Sequence, residues 1–274
     1  MRIDQADFFP AFLQLAAEGA ARGWHEANGG NLSYRLESNE AAAFNVAPAT
    51  TERRSALNIP VPSLAGERIA LTASGARLAL LDQTPDSSLG IIEVDATGSS
   101  YCIVSGFEGT QPTSELTAHL VAHDARVRAG HTRERVIYHA HCPHTVALSA
   151  VIEADVRVWS STLWRSLSEC ALVVPAGIAA LPYHAPGSTS LAQETAKALA
   201  HHAVCVWTNH GLLACACAFD DALDVVDTVE KAAGIYLQAR AACGGREPNH
   251  LIDELSLRTY CTQSGIKANL HLLD

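Results

Sequence analysis

Three histidines have the surroundings of a metal site. His139 and His141 stand in Val136-Ile137-Tyr138-His139-Ala140-His141-Cys142-Pro143, a β-rich run stopped by proline. On a strand, positions i and i+2 point to one face, roughly 6.5–7 Å apart along the backbone. Two imidazoles at that spacing can converge on one ion at roughly 2.0–2.1 Å each. His210 closes a second apolar run, Ala203-Val204-Cys205-Val206-Trp207-Thr208-Asn209-His210-Gly211, at a strand end. With 13 histidines in 274 residues a His-x-His pair arises readily by chance, so the pair gains meaning only from its third partner. Three histidines that leave a coordination position open are the pattern of a catalytic zinc, whereas four ligands close a structural one.

Glu115 follows Pro112-Thr113-Ser114 at a helix start. A carboxylate there is favourable to a helix N-terminus in any protein. Beside an open metal site it is also a positioned general acid/base, with the metal acting as a Lewis acid toward a carbonyl or enediolate. Asn28-Gly29-Gly30-Asn31, Thr72-Ala73-Ser74-Gly75 and Thr113-Ser114 are three small polar loops of one chemical type. Each read alone is an ordinary turn. Together their N–H groups, amides and hydroxyls could cradle a phosphate without any arginine. His144, His184, His201 and His202 read instead as surface or core residues, and helical placement after Pro143 turns His144 away from the metal.

These residues need a frame. Residues 10–22 have the apolar spacing of a helix with proline in its first turn, ended by Gly23. The Asn28–Asn31 loop then feeds a strand at 32–36, and 68–72 is another strand. Residues 91–94 and 101–104 read as a hairpin about Ala96-Thr97-Gly98. A helix runs from Thr113 or Ser114 to about Arg128, followed by the histidine strand 136–141 and a short helix from His144 to about 152. A helix from Ser188 or Thr189 to about 202 precedes paired strands at 203–208 and 212–219. A long helix from Asp220 to about 243 and a short one at 251–260 complete the pattern. Residues 37–67, rich in proline and small polar side chains, read as an irregular insertion, and 155–184 as short apolar runs between polar turns. The expected fold is a single domain over 1–274, mixed α/β, with a central, largely antiparallel sheet flanked by helices.

Composition narrows the function. The 48% hydrophobic and 18% charged content is that of an ordinary globular enzyme. A formal charge of −10 without clustered Lys and Arg argues against nucleic acid. No apolar run approaches the roughly 18 residues that suggest a membrane span. The N-terminal residues lack a signal-peptide apolar core, so a cytoplasmic location and eight reduced cysteines are expected, with Cys215-x-Cys217 as buried strand filler. Nucleobase-deaminase, Walker, dinucleotide-binding and nucleophile-elbow patterns are absent.

In order and spacing over nearly the full length, Gly23-Trp24-His25-Glu26-Ala27-Asn28-Gly29-Gly30-Asn31-Leu32-Ser33, Thr72-Ala73-Ser74-Gly75, Pro112-Thr113-Ser114-Glu115-Leu116, His139-Ala140-His141 and Asn209-His210-Gly211 resemble the class II aldolase/epimerase family. Within it, the Gly-Trp before the first loop, Leu89-Gly90-Ile91, and Thr113-Ser114-Glu115-Leu116 with His119 look most like the members that act on L-rhamnulose 1-phosphate. The resemblance implies zinc-dependent, reversible retro-aldol cleavage of that sugar phosphate to dihydroxyacetone phosphate and L-lactaldehyde, with one zinc per subunit. Cleavage of L-fuculose phosphate and epimerisation of L-ribulose 5-phosphate are the alternatives. By motif, His139, His141 and His210 would bind zinc and Glu115 would be the acid/base. Asn28, Gly30, Asn31, Ser74, Gly75 and Ser114 would line the phosphate pocket. Glu169, in Ser166-Leu167-Ser168-Glu169-Cys170, matches a family glutamate that reaches a neighbouring subunit's active site, or is an ordinary surface carboxylate. A homotetramer is expected on the same ground. Residues 37–67 and 245–274 carry no motif of the family.

Overall fold

Side chains that alternate between two buried faces build the sheet that carries the site. The computed structural model describes residues 2–44 and 54–274. Among these, the strands are β1 (Asn31–Arg35), β2 (Ser55–Ala56), β3 (Arg68–Thr72), β4 (Leu89–Val94), β5 (Ser100–Gly106), β6 (Val136–Ala140), β7 (Ile178–Leu181), β8 (Val204–Trp207) and β9 (Gly211–Ala216). They form one sheet in the order β2-β5-β4-β3-β1-β6-β9-β8-β7. Only β7 and β8 run parallel, so the sheet is largely antiparallel as expected.

On one face Leu32, Tyr34, Tyr138, Leu212 and Ala214 pack with α1 (Phe9–Ala21), α5 (Pro143–Ser149), α6 (Val156–Ser166) and α9 (Phe219–Ala242). On the other, Ile69, Leu71, Ile137, Leu213, Cys205 and Trp207 pack with α4 (Leu116–Arg128) and α8 (Thr189–Leu199). The period of two along each strand supplies both cores at once. Odd-numbered residues of β1 and β6 therefore face α4, and this parity places Asn31, Ser33 and His139 on one side.

Two segments depart from the sequence reading. Residues 155–184 hold α6, α7 (Ser168–Val173) and β7 rather than turns. The Asp155 carboxylate caps α6 by accepting from the N–H groups of Arg157 and Val158, at 2.8 and 3.1 Å. Trp159, Ser160, Leu163 and Trp164 then form its buried stripe, one helical turn apart. Truncating either tryptophan would cost about 3–5 kcal/mol. In the run 171–174, Ala171 and Val174 are buried while Leu172 is exposed. The 37–67 segment includes the helix α2 (Ser38–Ala42), a capping box between Glu37 and Glu40, strand β2 and a 3-10 turn at Pro62–Leu64. The rest of that insertion, 45–53, lies outside the described residues.

The remaining α-helices among the described residues, α3 (Pro85–Ser88) and α10 (Glu254–Gln263), are short. All eight cysteines are free thiols. Cys215 is buried strand filler, but Cys217 lies past the end of β9 and is exposed, since the strand stops at Ala216.

Candidate metal centre and anion cradle

His139 lies on β6 between Asn31 of β1 and Leu213 of β9. The strand stops at Ala140, yet His141 keeps the two-residue phase, and the rings meet with Nε2 atoms 3.1 Å apart. His210 arrives from the β8–β9 turn. Asn209 takes φ +57°, a left-handed conformation that asparagine tolerates, and His210 N–H closes on the Trp207 carbonyl at 3.0 Å. A Cβ at Gly211 would stand 2.4 Å from the Ala140 carbonyl oxygen, so the turn needs glycine to bring His210 in. One ligand atom from each histidine then lies within 4.8 Å of the others.

Proton bookkeeping at the rings favours a cation. His139 Nδ1 faces the Leu212 carbonyl at 2.9 Å, and His141 Nδ1 faces the Glu26 carboxylate at 2.6 Å. Both partners accept only, so both Nδ1 atoms carry the hydrogen, and with the rings in their neutral form both Nε2 atoms present lone pairs. Two lone pairs 3.1 Å apart repel unless a positive charge stands between them. Two nitrogens on one tetrahedral zinc would be about 3.4 Å apart, so the spacing suits that ion. Burial pushes His139 well below its ordinary pKa, with further lowering from His210 and His141 nearby. Burial likewise brings His210 down to about 4. Rings neutral at pH 7 do not make a metal compete with protons. The Trp207 ring, buried and anchored by its N–H to Thr195 Oγ1 at 3.0 Å, packs on both His139 and His210 and fixes their planes.

Glu115 stands over this trio. Its Oε2 is 3.4 Å from His139 Nε2 and its Oε1 is 3.5 Å from His210 Nε2. The residue is 5% exposed, and burial raises its pKa despite the Asn31 amide donating to Oε2 at 2.8 Å and His141 nearby. That is the direction an acid needs to hold a proton at neutral pH.

A cavity of about 350 Å³ opens beside these groups. Asn28, Gly30, Asn31, Ser74, Gly75, Ser114 and Glu115 all line it, with His141 and His210. The three small polar loops converge because Ser74 N–H donates to the Gln111 carbonyl and Thr113 N–H to the Thr72 carbonyl, stitching two of them together. Gly30 takes φ +74°, and a Cβ there would stand 2.3 Å from His25 Nδ1 and 2.8 Å from the His139 carbonyl oxygen. Asn31 reaches the cavity, but its side-chain amide is already engaged by Glu115 and His119. Glu169 is exposed on α7 and does not line the cavity of its own chain. His144 is turned away, onto Glu230 at 2.8 Å.

Sequence reasoning missed Glu26, Trp207, and Pro186, which closes one side of the cavity. No spacing rule marks Glu26, since its contact spans 115 positions of chain.

The family model for the class II aldolase and adducin N-terminal domain matches residues 11–237. The chain belongs to that family. A rhamnulose-1-phosphate aldolase from Escherichia coli O81 (strain ED1a) is 32% identical over 246 residues, which is 89% of this chain and 90% of that one. A sugar-phosphate aldolase from Thermotoga maritima superposes with a TM-score of 0.70 at 25% identity, covering 87% of this chain and 97% of its own. An L-fuculose-1-phosphate aldolase from Thermus thermophilus shares the fold with a TM-score of 0.58 at 23% identity, over 88% of this chain and 98% of that one. The chain is thus an enzyme of the class II aldolase type. No helix among the described residues is long and apolar enough to cross a membrane.

Proposed function

We propose that this enzyme catalyses the reversible cleavage of L-rhamnulose 1-phosphate to dihydroxyacetone phosphate and L-lactaldehyde, in the cytoplasm and in the service of L-rhamnose breakdown. The sugar assignment is supported by the relatives of that name at 32% identity over most of both chains. The chemistry is supported above all by one observation: two histidine Nε2 atoms 3.1 Å apart beneath a buried carboxyl, at the edge of a cavity lined by small polar loops.

His139, His141 and His210 would hold one zinc ion per subunit. When bound, the ion supplies Lewis-acid stabilisation of negative charge on the substrate oxygens next to the breaking bond. The rest of the work falls to the chain. Asn28, Gly30, Asn31, Ser74, Gly75 and Ser114 orient the phosphate arm through backbone N–H groups and small polar side chains. Cleavage transfers, in net terms, the hydroxyl proton of the departing aldehyde to the carbon that keeps the phosphate arm. Glu115 delivers that proton and withdraws it in the aldol direction. We further infer a homotetramer in which Glu169, exposed on its own subunit, serves a neighbouring active site.

The test is product release from L-rhamnulose 1-phosphate and, separately, L-fuculose 1-phosphate, followed by coupled reduction of dihydroxyacetone phosphate. Faster release from the rhamnulose ester is expected. Preference for the fuculose ester, or epimerisation with no free triose, would reassign the substrate.

A further inference from the structure

Behind Glu115 runs a buried polar chain that the aldol chemistry leaves unexplained. Glu115, His119 and His123 stand four residues apart at the start of α4 and along it, on one face of the helix. Asn31 and Ser33 stand two apart on β1, on the face of the strand that meets them. Four residues of helix rise about 6 Å and two residues of strand about 6.6 Å, so the two rows interleave in step. The contacts alternate between rows. Asn31 Nδ2 donates to Glu115 Oε2 at 2.8 Å, and Asn31 Oδ1 meets His119 Nε2 in a close hydrogen bond. Ser33 Oγ lies 2.7 Å from His119 Nδ1 and 2.9 Å from His123 Nε2.

The chain has one consistent direction. An amide that donates to a carboxylate presents its oxygen on the other side, so His119 carries hydrogen on Nε2. Its Nδ1 is then an acceptor, met by the Ser33 hydroxyl, whose oxygen accepts in turn from His123 Nε2–H. The row ends at His123 Nδ1, buried and without a partner among the described residues. Reversing the row would leave an unpaired buried N–H there, which is rarer in proteins than an unpaired acceptor. Both histidines and Ser33 are fully buried, and burial keeps both rings neutral, with His119 pushed down to about 3.

We propose that Ser33, His119 and His123 are positioning residues for the proton transfer. They lock the Asn31 amide with its N–H on Glu115 Oε2, which leaves Oε1 as the oxygen that takes and gives the proton. The inference rests on Glu115 acting as the acid/base of the proposed aldol reaction. An apolar pair would fill this space between strand and helix at lower desolvation cost, so a buried polar row implies a use for its direction.

The experiment compares the intact enzyme with Ser33→Ala and Ser33→Thr, the second retaining the hydroxyl. Three quantities are read: kcat and KM for cleavage, solvent deuterium exchange into dihydroxyacetone phosphate without aldehyde, and bound metal. Ser33→Ala should lower kcat and the exchange rate together by about 10- to 100-fold. KM should stay within about twofold and metal content near that of the parent, while the thermal midpoint falls because His119 Nδ1 and His123 Nε2–H lose a buried partner. Ser33→Thr should recover most of the kinetic loss. The 15N spectrum of the parent should show His119 and His123 neutral and protonated on Nε2. Nδ1-protonated rings, or a Ser33→Ala enzyme with unchanged kcat and exchange, would overturn the relay while leaving the aldolase reading intact. A parent enzyme with neither cleavage nor exchange would overturn that reading and the relay with it.

Discussion

Glu26 Oε1 stands 2.6 Å from His141 Nδ1, so a carboxylate on the first loop holds a histidine that lies 115 residues further along the chain. The contact fixes the ring's tautomer and aims Nε2 at the other two histidines. Carboxylates in this position typically change metal affinity by about 10–100-fold. Glu26→Gln should therefore weaken zinc binding by that factor with little loss of fold, because the Glu26 side chain is 68% exposed. Competition with a chelator of known affinity measures it, and an unchanged dissociation constant would remove Glu26 from the site.

Glu115→Gln keeps an oxygen for Asn31 and the volume of the side chain but no transferable proton. Turnover should fall by about 100- to 10,000-fold while the metal stays at parental stoichiometry. Activity near that of the parent would mean that another group delivers the proton.

Gly30 joins the anion loop to the histidine strand. Gly30→Ala forces a side chain into φ +74° and against His25 and the His139 carbonyl. A stability loss of roughly 1–3 kcal/mol in urea unfolding is expected, together with a raised KM for the phosphorylated substrate. An unaltered urea midpoint would show that the loop yields easily.

Acid should destabilise the metal-free protein. Burial lowers His25 to about 4, His119 to about 3 and His210 to about 4, whereas the unfolded chain takes these protons near 6.5. The unfolded state thus binds more protons across that window. The stability these neutral rings contribute is complete above about pH 6.5 and is lost progressively down to about pH 3–4. For His25 alone the loss is on the order of 3 kcal/mol. Glu115, raised by burial, works in the opposite sense, as one group against three. Thermal midpoints of the chelated protein should fall from about pH 7.5 to about pH 4.5, and a flat profile would contradict the burial of these rings.

Much of the site is legible in one dimension because local rules place it. His139 and His141 share a face by the period of a strand, Asn209-His210-Gly211 announces a turn that only asparagine and glycine ease, and the polar loops advertise free N–H groups. The sheet follows from alternating apolar residues. The polar row from Glu115 to His123 is partly visible as a four-residue period on an expected helix, but its partners Asn31 and Ser33 come from a strand more than eighty residues earlier. Contacts of that kind, like those of Glu26 and Trp207, depend on sheet order, which no local pattern encodes. The helices α6 and α7 escape sequence reading because their buried stripes are narrow and broken by β-branched and polar residues. The Asp155 cap is the signal that could find α6, whereas α7 starts after Leu167 with no side-chain cap.

The central claim is a metal-dependent carbon–carbon cleavage at the three-histidine centre. Its most direct test measures dihydroxyacetone phosphate released from L-rhamnulose 1-phosphate by the intact enzyme, by enzyme stripped with a chelator, and by stripped enzyme given back zinc. Release that vanishes on stripping and returns with about one zinc per chain is predicted. Undiminished release from verified metal-free protein would contradict the account.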